Sequence, residues 1–443
     1  MSDILNQQPL QEAVQRALDL AQKEGATGTE VEASRGRGLN VVVRLGEIET
    51  AEYHRSKTLS LTVFFDGQRA SAHTADFSAE AIARTVRHAC ELARYGEKDK
   101  CAKLPDAALH PKTILDLQLH TPWDLPIEQA IELAKQCEAA AFATDPRINN
   151  SEGASIATAE ANFVYGNSNG FIAGFPSSRY DISCVVIATD AGSMQRDYWH
   201  VGRRDPTLLP PVEEVGRRAG TRTTRRLGAR KIKTTSAPVL FEASAAASLW
   251  RTLVAAASGG ALYRRTSFLV DALGQPLLPP SLSIKEDPHI PRALASLPFD
   301  GEGVETKSRW VVENGLLQGY FLSSYTACKL GMTTTGNAGG AHNLILEADK
   351  KNFDDLVRQM HRGLIVSELM GHGVNLVTGD YSKGAAGYWV ENGTLAYPVE
   401  EITIAGNLKE MFAHIIGLGS DEETFGAIHT GSVLIENMTI AGA

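Results

Sequence analysis

The chain has 443 residues, 43% hydrophobic and 21% charged, with a formal net charge of −9. That balance describes a folded globular protein with room for two domains, and it excludes disordered and fibrous classes. No apolar run is long enough to span a membrane, and Met1-Ser2-Asp3-Ile4-Leu5 has neither the basic region nor the apolar core of a secretory signal, so a cytoplasmic protein without membrane contacts is expected.

Helical periodicity runs from Leu10 to Gln22 and stops at Gly25. Two strand-like runs follow, Glu30 to Ala33 and Leu39 to Leu45, and then Leu59 to Phe65 reaches Asp66-Gly67, a hairpin signal. Phe77 to Tyr95 and Pro126 to Phe142 read as amphipathic helices, the second with proline in its first turn. Ala154 to Ala188 alternates strands with turns, an antiparallel pattern, and Val212 to Leu227 is helical and basic. A boundary near Gly228 divides the chain into an N-terminal unit, 1–227, and a C-terminal unit, 228–443.

Beyond that point glycines multiply. Phe241 to Ser258 reads as a helix ending at Gly259-Gly260, Tyr325 to Leu330 as a short helix, and Phe353 to Met360 as another. Two similar phrases, Trp310 to Tyr320 and Tyr388 to Tyr397, each centre on Asn-Gly, which supplies the positive φ of a tight hairpin. The fold class expected is α+β: N-terminal helices packed on a mainly antiparallel sheet, then a glycine-rich antiparallel sheet or barrel-like domain.

Five cysteines, Cys90, Cys101, Cys137, Cys184 and Cys328, are widely spaced without a CxxC pair, which argues against a disulfide framework or a cysteine metal cluster. Cys328 reads as a buried structural residue. Ten cations between Arg203 and Lys233 form a local basic cluster; a solvated helix face leads and a partner contact follows, while a chain this acidic gives no general reason to bind nucleic acid. The glycine-rich segments 301–303 and 336–340 lack the strand, spacing and helix of a nucleotide site. His372 lies between glycines, with Asn375 and Asp380 nearby.

Arg226-Leu227-Gly228-Ala229-Arg230-Lys231-Ile232, Pro238-Val239-Leu240, Gly259-Gly260-Ala261-Leu262-Tyr263-Arg264, Pro298-Phe299-Asp300-Gly301-Glu302-Gly303-Val304, Thr335-Gly336-Asn337-Ala338 and Gly379-Asp380-Tyr381-Ser382-Lys383-Gly384 follow in a characteristic order and spacing. Together they resemble the PmbA/TldE branch of the TldD/PmbA metalloprotease family, over nearly the whole chain. The resemblance implies a zinc protease whose TldD-type subunit carries His-Glu-x-x-x-His on a helix and a later Cys, with the PmbA/TldE type as its partner in a heterodimer. The two His positions would fall here on Phe241 and Ala246, with Glu242 alone matching, and Gly417-Leu418-Gly419-Ser420 offers no later Cys. Phenylalanine and alanine cannot donate to zinc.

The expectations that follow are a chain without a cofactor or catalytic residue of its own, zinc in a TldD-like partner subunit, and short or unfolded peptides as substrate. Phe241, Glu242, Asn337, His372, Asn375 and Asp380 are the candidate substrate-cleft residues. The chain alone is expected as a possible homodimer. Two alternatives stay open: a gyrase-directed or nucleic-acid-associated regulator, after the family's older name, and an autonomous hydrolase around His372 or Cys328.

Overall fold

The computed structural model describes residues 4–442. The alternating residues of the first half build one antiparallel sheet, with strands in the order Gln68–Thr74, Glu47–Phe65, Gly28–Arg44, Ile148–Asn167, Ile172–Asp190 and Ser193–Arg203. The sequence pattern breaks at Arg35-Gly36-Arg37-Gly38 and suggests two strands there, but one strand runs from Gly28 to Arg44 because neighbours hydrogen-bond it on both sides through the break. Asp66 (φ 46°) and Gly67 (φ 91°) form the expected tight turn.

Four helices cover one face of this sheet. Gln8–Lys23 and Ala79–Ala93 pack on Val31, Ala33, Leu59, Leu61 and Val63, while Ile127–Phe142 and Val212–Arg225 pack on Leu39, Val41, Val43, Ile156 and Ile182. Val31, Ala33, Leu39, Val41 and Val43 share a parity along one strand and therefore a face. The last two helices approach closely because Gly216 has no side chain: a Cβ there would lie 2.0 Å from the Cys137 carbonyl oxygen.

After Gly228 the architecture changes. Thr235–Phe241, Gly363–Met370, Asp380–Glu391, Thr394–Asn407 and Val433–Ala441 form a five-stranded barrel, closed because the first strand pairs with the last. A second sheet orders Leu316–Leu317, Arg309–Glu313, Ser283–Asp287, Asn343–Glu347, Ile428–Thr430 and Glu423–Phe425. The chain is thus α+β with mainly antiparallel sheets and a C-terminal barrel. Both Asn-Gly phrases make hairpins, with Asn314 at φ 49° and Asn392 at φ 52°.

The two halves meet at an aromatic cluster, where Phe299 packs between Tyr165, Phe171 and Phe175. A covalent tie lies nearby and corrects the cysteine reading: Cys101 and Cys328 form a disulfide, their Cα atoms 5.6 Å apart across a sequence separation of 227. Pairs so distant leave no spacing signature. Asp99 reinforces the joint by accepting from Tyr325 Oη and Lys329 Nζ, both at 2.8 Å. These two contacts, with backbone donation from Cys101, hold the Asp99 carboxyl at about 2.

Candidate functional site

The barrel strand Thr235–Phe241 passes directly into the helix Ala243–Ala256, with Glu242 as the residue between them. Phe241 therefore belongs to the strand, not to the helix expected from composition, because Val366 and Val433 pair with it on either side. Its ring and the Ala246 methyl are fully buried. Glu242 has non-helical backbone and no side-chain cap bond, so its carboxylate is free to turn outward.

That carboxylate meets Arg222, which projects from the helix Val212–Arg225 of the N-terminal half. Arg222 donates from one nitrogen to Glu242 Oε2 at 2.9 Å, from a second to the Ser367 carbonyl at 3.1 Å, and approaches Asp197 Oδ1 at 3.4 Å. Burial works against the Arg222 charge, but Glu242 and Asp197 outweigh it and hold its pKa above the ordinary value. One helical turn on, Arg226 pairs with Glu368 of the barrel and lies 3.6 Å from Asp197 Oδ2. Asp197 is only 3% exposed, so the two guanidiniums supply the charge that makes its burial tolerable.

One turn earlier on the helix, Arg218 stacks 3.5 Å from the Trp199 ring centroid and bonds Glu423 at 2.6 Å. Between these groups opens a cleft of about 430 Å³, lined by Trp199, Arg225, Glu242, Ser244, Tyr388 and the 420–423 segment. Burial, then the Glu242 charge, pushes the Tyr388 hydroxyl up to about 12, so it stands in the cleft as a neutral donor at physiological pH.

The other expected residues lie elsewhere. Asn337 is buried in a separate network, donating to Glu286 Oε1 at 2.8 Å and accepting from Arg309 at 3.2 Å and Thr335 at 2.7 Å. Asn375 and Asp380 organise one loop: Asn375 Oδ1 accepts from the Val377 N–H at 2.9 Å and Asp380 Oδ2 from Thr378 at 2.6 Å. His372 is exposed on that loop. The structure thus joins Phe241 with Glu242, groups His372, Asn375 and Asp380 apart from them, and leaves Asn337 alone.

Arg222, Arg226, Asp197 and Glu368 were not singled out as site residues, although both arginines belong to the basic cluster. Much of that cluster is consumed internally. Arg218, Arg222 and Arg226 take carboxylates, Lys231 takes Glu401 at 2.6 Å, Arg230 stacks on Tyr397, and Arg204 donates to the carbonyls of Ala293 and Leu294. The helix face is a joint between the two halves.

Family models for the PmbA/TldA metallopeptidase match in three parts: domain 1 at residues 29–93, the central domain at 120–227 and the C-terminal domain at 234–442. The metalloprotease PmbA of Escherichia coli O157:H7 is 45% identical over 434 residues, spanning 98% of this chain and 96% of that protein. The chain belongs to the PmbA/TldD metalloprotease family. A Bacteroides thetaiotaomicron structure carrying the name modulator of DNA gyrase superposes with a TM-score of 0.92 at 26% identity and 98% coverage of both chains. TldE from Thermococcus kodakarensis shares the fold, with a TM-score of 0.86 at 21% identity over 97% of this chain and all of that one.

A metalloprotease needs a metal, and family zinc would be sought at the start of the helix Ala243–Ala256. The side chains there are a buried phenyl ring, a buried methyl and one carboxylate already engaged by Arg222. Zinc takes three or four N, O or S donors. Among the described residues, no group of three or more His, Cys, Asp or Glu side chains converges to hold a metal. The residues present do not fit zinc.

Proposed function

We propose that this chain is the partner subunit of a TldD/TldE-like zinc metalloprotease of the cytoplasm, non-catalytic by itself and working on short or unfolded peptides. The observation that carries the reading is the Arg222–Glu242 pair: the single carboxylate surviving at the family's catalytic position is bound by a guanidinium. A carboxylate so engaged has no metal-bound water to activate. Its role is to fix the helix start against the N-terminal half.

In this reading the zinc and its ligands belong to a TldD-like chain, and this chain completes the cleft with Phe241 as buried support and Glu242 as the held carboxylate at its wall. His372, Asn375, Asp380 and Asn337 are proposed as further cleft residues within the assembled pair. Alone, the chain self-associates as a homodimer. The hydrolase alternative built on Cys328 loses its nucleophile, because that sulfur is bonded to Cys101.

The test is zinc content and peptide hydrolysis on the chain alone, then with a co-expressed TldD-like chain under identical conditions. Metal and activity that appear only in the mixture support the partner role; stoichiometric zinc with hydrolysis by the isolated chain, or failure of the two chains to associate, ends it.

A further inference from the structure

The N-terminal sheet has an unfinished edge. Gln68–Thr74 pairs with Glu47–Phe65 only from Leu59 onward, so residues 47–58 have no strand on their outer side among the described residues. All of them but Thr50 are exposed. The stretch also shows apolar side chains to solvent, with Tyr53 67% and Ile48 51% exposed. A row of unpaired backbone donors and acceptors beside such strand-forming residues is a template for another strand.

Charge on an edge guards against pairing, and a single sign guards best, because two copies of the edge then repel in any register. Here the sign changes along the strand: Glu47, Glu49 and Glu52 occupy the first half, Arg55 and Lys57 the second. Of these five charges Glu49 alone has an ion pair among the described residues, a 3.7 Å contact with Arg44 on the inner side. Lys57 lies 4.7 Å from the Phe77 ring centroid. Acidic and basic halves on one strand are complementary to the same strand run in reverse.

We infer that residues 48–58 pair edge to edge with the same residues of a second copy of this chain, antiparallel about a twofold axis at Tyr53. In that register Glu49 lies directly opposite Lys57 and Glu52 opposite His54, each contact made twice, and the two Tyr53 side chains meet on the axis. A twofold interface demands this reciprocity, and a strand acidic at one end and basic at the other supplies it. No like charges are opposed, whereas an axis at Glu52 would set two carboxylates face to face. The pairing ends at Thr58, just before Gln68–Thr74 takes over the edge at Leu59. A foreign strand must carry the reverse gradient to fit, but a second copy has it by symmetry. The edge gives a surface to the homodimer proposed above for the chain alone, and it rests on that reading. Three strands separate it from Ser193–Arg203, which carries Asp197 and Trp199 of the Glu242 site.

The experiment is sedimentation velocity of the full chain over a concentration series. Arg55→Glu/Lys57→Glu makes the edge acidic throughout, and Glu49→Lys/Glu52→Lys makes it basic from residue 49 onward. Each is expected to raise the dimer dissociation constant about tenfold or more, and an equimolar mixture of the two recovers association. All four side chains are exposed, and that recovery shows that both variants fold. Mild oxidation is expected to link Tyr53→Cys as a covalent dimer, since directly opposed residues lie about 5 Å apart. Lys57→Cys is not linked, its two copies being about 27 Å apart in this register. A dimer indifferent to charge reversal, or linked through Lys57→Cys and not Tyr53→Cys, overturns the edge but leaves the homodimer standing. A chain monomeric at every concentration overturns both. Charge reversal that weakens only binding to a co-expressed TldD-like chain assigns the edge to that partner and overturns self-pairing. Neither zinc nor hydrolysis is read, so the partner-subunit test is separate.

Discussion

Cleaving the Cys101–Cys328 bond, by reduction or by Cys328→Ala, loosens the two halves of the molecule at a joint otherwise held by Asp99, Lys329 and the Phe299 cluster. The bond closes a loop across a sequence separation of 227, for which the loss of unfolded-chain entropy corresponds to about 5 kcal/mol. A protein of 443 residues gains roughly 0.9 kcal/mol per kelvin of unfolding entropy near its midpoint, so the expected fall in Tm is about 6 °C. Calorimetry with and without a dithiol reductant measures it, and Cys328→Ala is expected to reproduce the reduced value in either buffer. Alkylation of the denatured, unreduced protein should label Cys90, Cys137 and Cys184 only. Five labelled cysteines in protein kept from reductant, or a variant melting within a degree of the oxidised parent, refutes the reasoning.

Arg222→Met leaves Glu242 and the buried Asp197 short of their counter-charge and is expected to cost about 3–5 kcal/mol in urea denaturation, partly recovered by adding Glu242→Gln. Gly216→Ala forces a Cβ against the Cys137 carbonyl, and separation of the two helices should cost about 1–3 kcal/mol in the same measurement. Burial first, then Glu302 and Glu32, raise Glu30 from 4.5 to about 7. A carboxyl with a raised folded pKa contributes stability that is complete below the unfolded value and is lost as pH rises through the folded one. Chemical denaturation across pH 4.5 to 7 should therefore show falling stability that Glu30→Gln flattens, with the variant the more stable above pH 7 by up to about 3 kcal/mol.

Local rules read well where the structure obeys local physics. Asn314-Gly315 and Asn392-Gly393 make their hairpins because only a positive φ closes such a turn, and Phe353–Met360 forms where its periodicity says. Readings failed where a distant partner decides. Gly36 and Gly38 look like breaks, yet two neighbours hold the strand extended through them, and Phe241 looks helical until barrel pairing on both sides claims it. The resemblance pointed to Glu242 by motif position, but its partner Arg222 was hidden in a cluster whose carboxylates lie in other elements, Asp197 before the helix and Glu242 and Glu368 after it. No spacing rule joins Cys101 to Cys328.

Closure of the barrel sets an order of events during synthesis. Every strand of the first sheet and all four of its helices precede Arg226 in the chain, so that unit has its full set of partners before the barrel is half made. The strand leading to Glu242 gains its second neighbour only when Val433–Ala441 emerges. Until then Arg222 and Arg226 have Asp197 of the first sheet beside them, while Glu242 and Glu368 belong to a barrel that has not closed. The joint between the two halves is therefore completed last, long after the sheet that carries one side of it.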